Sequence, residues 1–455
     1  MSSLLSLLLY EHDTPNRILC ADLDMDNMPD INTITTPAEI SPAILIFDKL
    51  MMPESITVVL DTVLHNGWVI SIDMQIINHR VASRHPLYIH KYNILYNDTI
   101  DASFYIGYID HANKNNMRIK RVSSNAVCDT DIRSCTGIVD LNAANNLNIT
   151  TCKPFAKSLR ILRAYNCGIA DYGIRECDSI EELYASFNHN ITTCLSFAKS
   201  LRILDASDSC GINDSGLQQC NFIEDLDADN NRNITTCTPF AITLRKLSAS
   251  CWCGICDDGL RACTLIVKLS ADDNTKITTC APFAKSLEKL SAYSSCGICD
   301  AGLRLCTNII ELNASCNNRI TTCAPFAKSL SILCASRCGI SDNGLRLCRH
   351  IKKLVANNND KITTCAPFAH TLHTLIVDNV FRDIYQCGID NDGLRLCTSL
   401  CELSICRNNK ITTFVPFANT LRMLRMNTDH PVSDDEILST CTKLQIDRCS
   451  TWEWE

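Results

Sequence analysis

No stretch of this 455-residue chain approaches the roughly 18 consecutive apolar residues that a membrane-spanning helix requires, so no membrane association is expected. Positive charge is not in excess either: 42 Lys and Arg stand against 50 Asp and Glu. That balance argues against a broad nucleic-acid-binding surface. The opening MSSLLSLLLYEHD has an apolar run with no basic residue ahead of it, and Glu11, His12 and Asp13 end it without a small-residue cleavage site. It reads as a short structural segment rather than a signal peptide. Cysteine is almost missing from the first quarter, since 29 of the 30 lie at or after Cys128. They recur with a repeat rather than forming a compact framework, and free cysteine behaves as a small, easily buried apolar residue. The expected setting is therefore a reducing, cytoplasmic one, in which Asn-X-Thr triplets such as Asn148-Ile149-Thr150 are incidental.

What the chain has is self-similarity. The phrase ITTC-x-PFA, or a close variant, begins at Ile149, Ile191, Ile234, Ile277, Ile320, Ile362 and Ile411, at spacings of 42, 43, 43, 43, 42 and 49 residues. Each period divides into two related halves. One reads L-x-x-L-x-A followed by CGI-x-D-x-GLR-x-C, as from Leu287 to Cys306; the other reads I-x-x-L-x-A-x-x-N-x-x-ITTC-x-PFA, as from Ile309 to Ala327. The basic unit is 21 or 22 residues, and fourteen such units start between Ile138 and Leu421. Degenerate units precede them near Ile119–Cys135 and follow them near Ile437–Ile446.

These residues resemble the leucine-rich-repeat pattern L-x-x-L-x-L-x-x-N/C-x-L over about three quarters of the chain. The CGI-x-D-x-GL half is similar to the cysteine-containing subtype of F-box proteins, and its alternation with ITTCAPFA resembles repeat proteins of giant DNA viruses of amoebae. The resemblance implies an α/β solenoid: a curved horseshoe with parallel strands on the concave face and short helices or turns on the convex face. It also implies a protein-binding scaffold, and, for a viral chain, the host cytoplasm.

The residue types agree with that fold. In L-x-x-L-x-A the alternation places Leu290 and Ala292 inward and Lys289, Ser291 and Tyr293 outward. The column Asn146, Asn188, Asn231, Asn274, Asn317, Asn359 and Asn408 can satisfy backbone groups at the turn leaving each strand. Asp171, Asp214, Asp257, Asp300 and Asp342 suit the N-cap of a one- or two-turn helix. Pro154, Pro239, Pro282, Pro325, Pro367 and Pro416 fit the first helical position of the companion arm. The column from Phe155 to Phe417 is expected to pack beneath. Glycines in the CGI and D-x-G columns are explained by permissive dihedrals rather than by a bound phosphate.

No catalytic constellation is legible. The 11 histidines are scattered, none in register with a carboxylate and a nucleophile, so neither an enzyme nor a cofactor is expected. The cluster Cys251-Trp252-Cys253-Gly254-Ile255-Cys256 lacks the second short Cys/His group that a zinc site needs, so it reads as buried filler, not as a metal site. Two features stand out as candidate partner-binding positions. Asp205, Asp225, Asp227, Asp229, Asp272 and Asp273 form an acidic group on outward strand positions, suited to a basic partner. The unit starting at Leu372 has 28 residues and carries Phe381 and Tyr385 in its extra segment, as plausible interface anchors.

Residues 1–116 stay outside the repeat of residues 117–455 and read as a small α+β domain. Helices are expected over 42–52 and 53–64, then strands over 68–77, 86–95 and 104–109. Met52–Leu64 resembles the opening of an F-box, which implies, as an alternative, the substrate-recognition subunit of a ubiquitin ligase with a Skp1-type adaptor as partner.

Overall fold

The computed structural model describes residues 8–10, 69–71, 121–123, 127–380, 386–441 and 443–449. The helices expected before residue 65 and the strands expected at 86–95 and 104–109 lie outside the described residues, as do Phe381 and Tyr385. Within 68–77 the structure has a strand at Val69–Ser71, paired antiparallel with Leu8–Tyr10. The chain forms two compact units: Met1–Asp205 with Cys210–Ile212, and Ala206–Ser209 with Asn213–Glu455.

Each unit repeats one scheme. In the first, five short strands from Arg121–Ser123 to Ile203–Asp205 pair in parallel and in register. The second holds eleven strands among the described residues, from Asp225–Asp227 to Gln445–Cys449. The strands at the degenerate ends, Arg121–Ser123 and Gln445–Cys449, each join their neighbour in parallel. The register is set by leucine: Leu247 lies opposite Leu269, and Leu269 opposite Leu290. A slip of one residue would turn that whole leucine column to solvent.

Chain returning from each strand alternates between two arms. After a CGI turn comes a four-residue helix, such as Asp300–Leu303; after ITTC comes a 3-10 turn, such as Ala281–Phe283. Phe155, Phe197, Phe240, Phe283, Phe326, Phe368 and Phe417 are the largest fully enclosed side chains, as their periodicity implied. Proline does sit at the start of the 3-10 arm, but in its second position: Lys153 and Ala281 come first.

The asparagine column does what its position implied. Buried Asn274 donates from Nδ2 to Ala249 O at 2.7 Å and Ile255 O at 3.3 Å, while its Oδ1 accepts from Lys276 N at 2.9 Å. Asn188, Asn317 and Asn359 repeat the arrangement.

Two expectations are corrected. The aspartates of the CGI arm are not N-caps; Asp300 is the first residue inside its helix, and Cys299 precedes it. Its carboxylate instead reaches the next 3-10 arm, accepting from Thr321 N at 2.8 Å, Thr321 Oγ1 at 2.5 Å and Thr322 N at 3.3 Å. Asp129, Asp171, Asp214, Asp257 and Asp342 make the same clamp, and Asn391 substitutes for it with amide bonds to Thr412 and Thr413. A true side-chain cap occurs at Asn213 and Asp390, one residue earlier. The glycines are not explained by unusual dihedrals either. Gly302 is needed because an added Cβ would lie 2.1 Å from Thr278 O, and Gly297 because it would lie 2.5 Å from Thr275 O. Left-handed backbone falls instead on turn tips without glycine, including Phe187, Cys251, Cys316 and Arg337.

Most of the cysteines among the described residues form three columns. Those of the CGI turns are enclosed, and burial pushes the Cys253 and Cys296 thiols up to about 12 and those of Cys210, Cys338 and Cys387 up to about 11. The other two columns meet in pairs: a hydrogen bond with Cys306, then burial, holds the Cys280 thiol up, and Cys237–Cys263 and Cys323–Cys348 repeat it. Cys406 is disulfide-bonded.

Two outcomes follow from this packing. Gly302→Ala should cost about 3 kcal/mol, the upper part of the overpacking range, because the obstructing atom is backbone. Cys251→Asn should instead gain about 1 kcal/mol, since asparagine tolerates the left-handed tip that Cys251 occupies at φ 57°. Thermal melts with hydrogen exchange check both; equal effects of the two changes would contradict the close-approach account. The second outcome concerns pH. A thiol raised on folding contributes stability that is intact below its ordinary value of 9.0 and is lost as pH climbs toward about 12 for Cys296. Melting temperature should therefore fall from pH 9 upward, and Cys296→Ala should flatten that slope; an unchanged slope would rule out titration of this column.

Candidate protein-binding face

On the three-residue strands from Asp140–Asn142 to Glu402–Ser404 the residues flanking the central leucine sit on the face opposite to it, so each unit presents two rows of such side chains. In the second unit the strands from Asp225–Asp227 to Ile332–Cys334 line a hollow of about 640 Å³. Parallel register stacks its first row as Asp225, Lys246, Lys268, Lys289 and Glu311, and its second as Asp227, Ser248, Ser270, Ser291 and Asn313. The middle of this face is thus basic, flanked by acid.

The acidic candidates separate by role. Asp225 is half-buried and pairs with Lys246 Nζ at 3.0 Å. Asp227 accepts from Asp229 N at 3.0 Å and so shapes its own turn. Asp229 and Asp272 act as brackets between strands. Asp229 Oδ1 accepts from Ser248 Oγ at 2.8 Å and Ser250 N at 2.6 Å; Asp272 Oδ1 accepts from Ser291 Oγ at 2.6 Å and Tyr293 N at 2.8 Å. Asp273 is a left-handed turn tip whose carboxylate accepts from Ser295 N at 3.1 Å. Asp205 ends the last strand of the first unit. The structure therefore brings Asp225 and Asp227 into the hollow, and gives Asp229, Asp272 and Asp273 partners within the fold.

Sequence reasoning missed two things here. Asp378 is a third bracket, accepting from Ser404 Oγ at 2.8 Å and Cys406 N at 2.7 Å, and burial raises its carboxyl. The lysine row was also overlooked, although its signal was plain: the tripeptide Lys-Leu-Ser occurs at 246–248, 268–270 and 289–291, always at strand positions.

The sheet and its register settle the architecture. The fold is a leucine-rich-repeat solenoid. No family model matches the sequence, and no curated protein does. Among solved structures, an internalin from Listeria monocytogenes is similar at 17% identity and a TM-score of 0.46, over 72% of this chain and 90% of its own. The functional domain of InlJ from Listeria monocytogenes, which includes a cysteine ladder, is similar at 15% identity and TM-score 0.36, over 66% and 72%. Rad7, in its complex with Elc1 from yeast, is similar at 15% identity and TM-score 0.37, over 83% and 98%. The strands, turns and columns above carry the fold assignment without these superpositions.

Among the described residues no group of three or more His, Cys, Asp or Glu side chains could hold a metal ion. The Cys251–Cys256 cluster is divided: Cys251 is an exposed turn tip, Cys253 a buried column residue, and Cys256 directly precedes the helix Asp257–Leu260. No helix among the described residues is long and apolar enough to cross a membrane.

The division of the aspartates predicts unequal costs. Asp272→Ala should destabilise by about 1–3 kcal/mol, because it leaves a half-buried hydroxyl and an amide without their acceptor. Asp225→Asn should stay within about 1 kcal/mol, as for other exposed ion pairs. Denaturant unfolding of both variants measures the contrast, and a larger loss for Asp225→Asn would refute the bracket role.

Proposed function

We propose that this chain is a protein-interaction scaffold whose partner sits on the open sheet face of its second unit. The observation that carries the reading is the hollow itself: six adjacent strands line it, and the outward residues of the first five are all polar or charged. Side chains at these outward positions are free of the repeat's packing demands. Their composition can therefore answer to a partner, and a solenoid face spreads such contacts over many units. The acidic candidates belong to this reading through Asp225 and Asp227, at one end of the hollow.

A cytoplasmic setting, a viral origin and a separate domain over residues 1–116 belong to the same proposal. What supports the first is the large number of cysteines that stand as free thiols.

A blocking substitution tests the site. Cys334 lies at the far end of the hollow on an outward position, half-buried. Cys334→Trp should weaken binding of a partner purified from the native cell by tenfold or more, while Lys285→Trp on an exposed return arm should leave it unchanged. Equal affinities for both variants would move the interface elsewhere on the chain.

A further inference from the structure

We propose that the centre of this hollow is a carboxylate site, built to take an acidic, extended segment of a protein partner. The inference rests on the binding face proposed above and adds the chemistry of what occupies it.

Lys246, Lys268 and Lys289 lie on three consecutive parallel strands in exact cross-strand register. Neighbouring strands are about 4.8 Å apart, so three ammonium-bearing stems rise side by side. Like charges directly opposite one another on a sheet are unfavourable unless something neutralises them. The outer two are neutralised from the flanks: Lys246 Nζ lies 3.0 Å from Asp225, and Lys289 Nζ lies 2.9 Å from Glu311. Lys268, exposed and central, has no ion-pair partner among the described residues. A carboxylate seated above Lys268 would complete an alternation of charge along the row, with the neighbouring lysines within reach of its second oxygen.

The second row specifies the rest of the ligand. Ser248 and Ser291 already donate their hydroxyl protons to Asp229 and Asp272. Toward the hollow their oxygens can only accept, as Ser291 Oγ already does from Asn313 Nδ2 at 3.3 Å, so the lone pairs that remain suit N–H donors. A peptide backbone carries such donors beside an acidic side chain. The charge balance narrows the anion further. Three lysines against Asp225, Asp227 and Glu311 sum to zero, so Lys268 is the one charge of the hollow that a ligand carboxylate can still answer.

The test uses the full chain with a hexaglutamate peptide as probe, read by fluorescence anisotropy at low and at physiological salt. Wild type should bind it, more weakly as salt rises. Lys268→Gln should weaken binding about tenfold, the scale of one charge-assisted hydrogen bond. Lys268→Glu should abolish it, and Lys285→Glu on the return arm should bind as wild type does. The carboxylate site is overturned by an absence of hexaglutamate binding, by Lys268→Glu binding undiminished, or by hexalysine binding more tightly than hexaglutamate. If Cys334→Trp still blocks the native partner in any of those cases, the face remains the interface and only its chemistry is wrong.

Discussion

Each repeat must turn its backbone away from the strand directly above the core, and the amides and carbonyls of that turn have no water to meet. The buried asparagine amide resolves this in alternate repeats. In one side chain, Asn274 donates to two carbonyls of the preceding repeat and accepts from an amide of its own. It thereby fixes both the turn and the distance to the neighbour. An unpaired buried polar group costs about 1–3 kcal/mol, so a missing partner in each of several repeats would exceed the whole stability of an ordinary domain. Once the turns are fixed, the other columns have defined places: leucine and alanine inside the sheet, phenylalanine under the 3-10 arm, cysteine where only a small apolar group fits.

The arms are tied by a second set of bonds, which explains why both threonines of the ITT phrase recur. In the phrase at Ile320, Thr321 donates its hydroxyl to Asp300, while Thr322 Oγ1 accepts from Ala324 N at 3.1 Å and starts the 3-10 turn. The hydroxyl at Ser286, Ser329 and Thr371 donates to the carbonyls of Ile266, Ile309 and Ile351, so the end of each 3-10 arm is also held to the segment that leads into its own repeat's strand. Gly302 belongs with these bonds: its missing Cβ lets the CGI arm lie against the backbone of Thr278. Clamp and close approach face opposite ways: Asp300 ties its arm to Thr321 of the following repeat, and Gly302 lets the same arm lie against Thr278 of the preceding one.

The repeat length, the leucine register, the asparagine turn and the phenylalanine column were all legible, because each follows from periodicity and from what a buried position tolerates. Asp300 was legible as important but not in its role. An aspartate ahead of a short helix has the same local signature whether it caps that helix or reaches the next arm, and the deciding Thr321 lies 21 residues away. The glycines failed for a similar reason, since a missing side chain signals either an unusual dihedral or a close approach. The separate roles within the acidic group were not legible for a third reason: alternation says that Asp229 leaves the core, but not that Ser248 and Ser250 will meet it there.

That last distinction separates scaffold from site on this face. Asp229, Asp272 and Asp378 each follow the last inward residue of a strand, and each accepts from a serine hydroxyl and a backbone amide of the next repeat. A pattern that recurs with the same partners serves the fold, however polar it is. The lysines of the Lys-Leu-Ser row also recur, but their partners do not. Lys246 and Lys289 find acids on opposite flanks, and Lys268 between them finds none among the described residues. Repetition without a repeated internal contact is what a surface shaped by a ligand would retain. The lysine row, rather than the more numerous aspartates, is therefore the part of this face that the fold itself leaves unexplained.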